Sequence, residues 1–77
     1  MMFLQQDYGL VRLRLKELLQ QQGISRNQLA RQAGTSFATV DRWCKGEIDK
    51  LDCDLIARFC YVLGCSVGDL LEYEKEE

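Results

Sequence analysis

Apolar residues recur along most of this chain every three or four positions, the period of a helix with one buried face. In a first run over residues 11–22, Val11, Leu15, Leu18, Leu19 and Gln22 share one side, and Arg12, Arg14, Lys16 and Glu17 mostly take the other. Ser25-x-x-Gln28 has the form of a capping box and predicts a second helix over 26–33. Ser36 caps a third helix over 37–45, after a gap of only Gly34 and Thr35. A charged loop over 47–51 leads to Asp52, the cap of a fourth helix that continues to Leu63. Its core stripe is Ile56, Phe59, Cys60 and Leu63, and Cys53 extends it by one turn. Ser66-x-x-Asp69 opens a short fifth helix carrying Leu70 and Leu71. Gly23, Gly34, Gly46 and Gly64 each follow a helical run, where glycine ends a helix without steric penalty.

No run shows sustained period-2 alternation, and residues 1–8 alone are open between a strand, an arm and disorder. The expectation is an all-α fold of five short helices with no internal repeat. Residues 1–10 form an N-terminal arm, 11–73 one domain, and 74–77 an acidic tail.

With 77 residues the chain has room for one small domain and little room for an enzyme's pocket beside its core. It has no histidine and no proline. It lacks the commonest general base, any phosphate loop and a recognisable nucleophile–base pair, so neither catalysis nor a cofactor is expected. No window of 18 uninterrupted apolar residues is present, and the N-terminus lacks the basic and apolar regions of a signal peptide, so a cytoplasmic protein without membrane contact is expected. The four cysteines, Cys44, Cys53, Cys60 and Cys65, contain no C-x-x-C pair. They read as small buried apolar side chains in a reducing compartment, in preference to a disulfide framework or a metal site.

The formal net charge of −2 argues at first against nucleic acid as a partner. It is unevenly spread. Residues 1–50 hold eight Lys/Arg and five Asp/Glu, a net of +3, and residues 51–77 hold two and seven, a net of −5. The basic half contains the most informative stretch, 26–45. Leu29, Ala33, Val40 and Trp43 are its apolar positions, Ala30 is small where a larger side chain would push two helices apart, and Gly34 sits at the turn. The pattern Ala30-x3-Gly34-x5-Val40-x2-Trp43 meets the steric needs of a helix-turn-helix whose second helix keeps its outer face free.

The segments Ile24–Gly34 and Ala38–Gly46 together resemble the Cro/λ-repressor-type helix-turn-helix family, and Cys60-x2-Leu63-Gly64 through Leu71 resembles that family's closing helices. The resemblance covers 11–73. It implies a third helix that enters the DNA major groove, commonly in a dimer. Carried onto this chain, Ser36, Phe37, Ala38 and Arg42 take groove-facing positions, with Thr39 and Asp41 at the margin. Arg26 lies close to a position where the family often has a phosphate-contacting glutamine. Two departures stand out. Thr35 replaces a usual aliphatic residue. Leu19 and Cys44 replace an arginine–glutamate pair linking the first and third helices, an exchange that an apolar pair can make without loss.

On this reading Phe37, Ala38 and Arg42 contact bases. Arg42 can reach guanine O6 and N7 with both arms of its fork, and Ala38 lets the helix approach closely. Phe37 packs on a thymine methyl or folds back onto the second helix. Asp41 accepts from cytosine N4 or pairs with a cation such as Lys45. Arg26, Ser36, Thr39, Lys45 and Lys50 contact the backbone, with Arg31 a further candidate, and Trp43 belongs to the core. The expected function is a sequence-specific DNA-binding transcriptional regulator acting on double-stranded DNA as a homodimer. The rival is a protein-interaction module, such as an antitoxin-like subunit. A protein partner or second copy has two candidate surfaces, Leu55 with Val62, and Met2, Phe3, Leu4 and Tyr8.

Overall fold

A computed structural model describes residues 8–75. The expectations for residues 1–7 and 76–77, including Met2, Phe3 and Leu4 as a docking surface, lie outside them. Five helices form, α1 (Leu15–Gln22), α2 (Arg26–Ala33), α3 (Phe37–Lys45), α4 (Cys53–Leu63) and α5 (Val67–Leu70). Flanking them are two strands, β1 (Leu10–Leu13) and β2 (Leu71–Glu74), paired antiparallel with Val11 opposite Tyr73 and Leu13 opposite Leu71.

The sheet corrects the all-α expectation. Val11, Leu13 and Leu15 alternate with Arg12 and Arg14, a period of two over five residues that also fits the i, i+4 spacing of a helix. Pairing decides between them. Leu71-Glu72-Tyr73-Glu74 carries the matching alternation, so the two segments put Leu13 and Leu71 on the core and ion-pair across their other face. Arg12 Nη1 lies 3.1 Å from Glu74 Oε2, and Arg14 Nη1 lies 3.0 Å from Glu72 Oε1. The Arg14 N–H then donates to Leu70 O at 2.8 Å, tying the start of α1 to the end of α5. Val11 is therefore a strand residue, 57% exposed, and not the first core position of α1. Leu71 likewise belongs to β2 and not to the fifth helix.

The helix ends follow the sequence closely. Ser25, Ser36, Asp52 and Ser66 each accept a backbone N–H of the first turn that follows. The reciprocal box forms at Ser66 and Asp69, whose carboxylate accepts the Ser66 N–H at 3.0 Å. Asp69 is thereby held below the ordinary carboxylate range, the Ser66 backbone bond being the main cause. Gly23, Gly34, Gly46 and Gly64 all end helices with positive φ.

One core joins the helices. Leu15 and Leu19 of α1, Leu29, Ala30 and Ala33 of α2, Val40, Trp43 and Cys44 of α3, Phe59 and Leu63 of α4, and Leu70 of α5 are buried. The Trp43 and Phe59 rings meet edge to face, centroids 5.1 Å apart at 83°. Ile56 and Cys60 are half-buried on the same core, as the stripe of α4 predicts, but Cys53 is exposed, because the first turn of α4 is solvated. Leu55 and Val62, candidates for a docking surface, are half-buried and pack against the core. Gln22, placed on the apolar side of the first helix, is exposed, and its amide donates to Leu63 O at 2.9 Å at the end of α4.

The sheet depends on Gly9. Its φ is +82°, and a Cβ there would lie 2.3 Å from Glu74 O. Gly9→Ala is expected to lower stability by about 1–3 kcal/mol, measured by urea unfolding, and to speed amide exchange in β1 and β2 first. Gly23→Ala, where the added methyl meets open space, is expected to cost less.

Candidate nucleic-acid interface

The turn between α2 and α3 is built by a short chain of backbone bonds. Gly34 takes φ +69° past α2, and the Thr35 N–H donates to Ala30 O at 2.9 Å. The carbonyls of Ala33 and Gly34 lack helical partners, and Arg58 of α4 supplies them: its Nη1 donates to Ala33 O at 3.0 Å and to Gly34 O at 3.2 Å. Asp54, one turn earlier on α4, holds the same guanidinium through Nε at 3.0 Å. A cation at the negative end of α2 is also placed favourably for the helix dipole. A Cβ on Gly34 would stand 3.2 Å from Arg58 Nη1, so the glycine serves the clamp as well as the turn. Sequence reasoning missed Arg58. Its i, i+4 spacing from Asp54 was legible, but its reach across to α2 depends on how α4 packs.

The burial of Val40, Trp43 and Cys44 fixes the inner face of α3 and turns Phe37, Ala38 and Arg42 to solvent. Ala38 and Arg42 are one turn apart on that outer face. Arg42 makes no ion pair among the described residues. Phe37 is 47% exposed, so its ring is not withdrawn into the core. At the N-terminus of α3, Ser36 Oγ accepts the Thr39 N–H at 3.1 Å and lies 3.0 Å from Thr39 Oγ1, which leaves Thr39 half-buried against its own cap.

Asp41 is the electrostatic centre of the motif. Its carboxylate bonds Lys45 Nζ at 2.9 Å along α3 and accepts from Arg26 Nη1 at the start of α2. Both bonds, with Lys45 the larger, hold Asp41 below the ordinary carboxylate range, and Asp41 in turn raises Lys45. Two of the cations expected at DNA are thus tied to one acid. Lys50 in the loop after α3 and Arg31 on α2 are exposed, with no ion pair among the described residues. At Leu19 and Cys44 the apolar exchange is realised as burial of both, and burial pushes the Cys44 thiol up. All four cysteines are free, and only Cys44 is buried, against the expectation of four buried side chains. Among the described residues no group of three His, Cys, Asp or Glu is arranged to hold a metal, and no helix is long and apolar enough to cross a membrane.

Residues 14–76 match the family of the Cro/C1-type HTH DNA-binding domain. Among solved structures, a protein from Bacteroides fragilis described as a candidate DNA-binding protein superposes with a TM-score of 0.73 at 24% identity, over 82% of this chain and all of that one. A structure described as the transcriptional regulator VanUg superposes with a TM-score of 0.70 at 22% identity, over 99% of this chain and all of that one. No curated protein matches the sequence.

The lowered Asp41 gives a signed pH dependence. A carboxylate whose folded pKa is depressed stabilises the fold fully above its unfolded pKa of about 4, and that stabilisation is lost as pH falls through the lower folded value. Asp41→Asn is expected to flatten this part of the acid limb, read as urea midpoints measured from about pH 6 to about pH 2. Equal limbs for the two proteins would show that the bridge does not bear on stability.

Proposed function

The chain belongs to the Cro/C1-type helix-turn-helix DNA-binding domain family, and from that premise we propose that it is a sequence-specific transcriptional regulator that reads double-stranded DNA with α3 in the major groove. The observation that carries this reading is the two-sided α3. Trp43 and Val40 anchor one face, while the other presents a small residue, an exposed aromatic and an arginine with no ion pair among the described residues. In this arrangement Arg42 contacts guanine, Ala38 allows close approach and Phe37 meets a thymine methyl. Ser36, Thr39 and Lys50 face the phosphates. Arg26 and Lys45 do so as members of the Asp41 bridge, each contributing less than a free cation. The protein acts in the cytoplasm.

We propose also that it binds as a homodimer. Val11 and Tyr73, directly opposite each other, extend the core-facing side of the sheet into solvent at 57% and 61% exposure. The Tyr73 hydroxyl donates to Tyr8 O at 2.5 Å, which fixes the ring in place. Such a paired apolar surface suits a second copy related by a two-fold axis. Two recognition helices would then meet half-sites about 34–36 Å apart.

Selection from random duplexes should return a motif, and Arg42→Ala should lose about 5- to 150-fold in preference for one guanine, the range of a good bidentate contact. Lys50→Ala should weaken all sequences alike and lower the salt slope by about one. No enriched motif, or an Arg42→Ala protein that selects as the parent does, would overturn the reading. For the dimer, sedimentation should show a self-association abolished by Val11→Lys with Tyr73→Glu. That pair keeps a cross-strand attraction while removing the apolar surface. A dimer that survives this exchange places the interface elsewhere.

A further inference from the structure

Two of the four cysteines are brought together by the way α4 ends. Cys60 lies in the last turn of α4, and Cys65 is the second residue beyond its final Leu63. Gly64 between them is left-handed at φ +62°, and the Cys65 N–H reaches back to Cys60 O at 3.1 Å. This is the Schellman ending, in which the side chains at these two positions stand close together and frequently touch. In most helices that contact is between two hydrocarbons. Here both members are thiols, both half-buried on the rim of the core with some solvent access. The Cys60 side chain also acts on the Cys65 thiol, as a charge and as a hydrogen-bond partner, and raises it. Cys44 is buried in the core and Cys53 stands exposed at the opposite end of α4, so neither shares this arrangement.

We propose that Cys60 and Cys65 form a reversible dithiol–disulfide site, oxidised by a low-molecular-weight disulfide such as oxidised glutathione. The chain bends back on itself between the two positions, as a bridge between them requires. Burial first, then Cys60 and Asp69, push the Cys65 thiol up, which disfavours Cys65 as the first attacking thiol. The Cys60 thiolate attacks one sulfur of oxidised glutathione, forming a mixed disulfide and expelling one glutathione thiolate. The Cys65 thiolate then attacks Cys60 Sγ, forming the intramolecular bond and expelling the second glutathione. The protein loses two electrons and two protons, and both glutathione molecules leave reduced. With Cys65 held protonated the second step is slow near neutrality and faster in mild alkali. The closed ring locks the end of α4 to the start of α5, the segment that feeds β2.

The test is intact-mass and peptide mapping of the full chain after treatment with oxidised glutathione across a range of pH. The expected product is a monomer with Cys60 linked to Cys65, lighter by two hydrogen atoms apart from any glutathione carried on the exposed Cys53. It should form faster as pH rises, revert with dithiothreitol, and unfold at a midpoint raised by about 4 °C or more. Cys60→Ser should take up no glutathione at Cys65, whereas Cys65→Ser should stop at a glutathione adduct on Cys60. A Cys44→Ala, Cys53→Ser variant should still close the ring. A stable glutathione adduct on the parent protein without closure, or linkage only between two chains through Cys53, would overturn the proposal. The peptide map of the parent protein decides this even if a variant fails to fold.

Discussion

The edge-to-face contact of Trp43 with Phe59 sets the orientation on which the rest depends. A tryptophan occupies so much of so small a core that α3 has one rotational setting in which the ring is covered. Rolling the helix by one residue would expose the indole and carry a charged side chain, Asp41 or Arg42, toward apolar surroundings. The outer face of α3 is therefore a by-product of what the inner face must bury. Phe37, Ala38 and Arg42 are presented because Val40, Trp43 and Cys44 are taken. Arg58 adds the second constraint by holding the carbonyls where α2 turns into α3, so the relation of the two helices is set from α4 as well as from within the motif.

The charge distribution changes meaning once the chain is folded. Along the sequence, cations lie in the first fifty positions and acids in the remainder, an arrangement that reads as a basic motif followed by a repelling tail. In space the two strands, far apart in sequence, are paired. Arg12 and Arg14 neutralise Glu74 and Glu72 across the sheet, and Asp41 neutralises part of Arg26 and Lys45 within the motif. Arg31, Arg42 and Lys50 remain on the motif with no ion pair among the described residues. On the proposed reading, a small number of such cations would limit the sequence-independent attraction to phosphate and place more of the binding on how α3 meets the bases.

What was legible in the sequence was what local chemistry decides. The Ser and Asp caps, the glycines past helix ends, the buried set of Leu29, Val40 and Trp43, and the exposure of Ala38 and Arg42 all follow from spacing within a few residues. The strands were not legible as strands, because Leu10–Leu13 satisfies helical and extended periodicity alike, and only its pairing with Leu71–Glu74 selects one. Arg58 escaped for the same kind of reason, since its partners are backbone atoms far away in sequence. Asp41 was expected to pair with Lys45 and does, but its bond to Arg26 required knowing how α2 and α3 cross.

The terminal sheet also bears on how the molecule assembles. Its pairs, such as Leu10 with Glu74 and Leu13 with Leu71, join the most distant parts of the described chain. Every helix contact between neighbours in sequence closes a much shorter loop. Closing the longest one costs the most chain entropy, and the sheet repays it only once Leu13 and Leu71 have a core to pack on. The helix-turn-helix can therefore condense around Trp43 before the sheet exists, and the sheet is the last part to close and the first to open. The helix-turn-helix and the terminal latch are in this sense two kinetic units of one small fold.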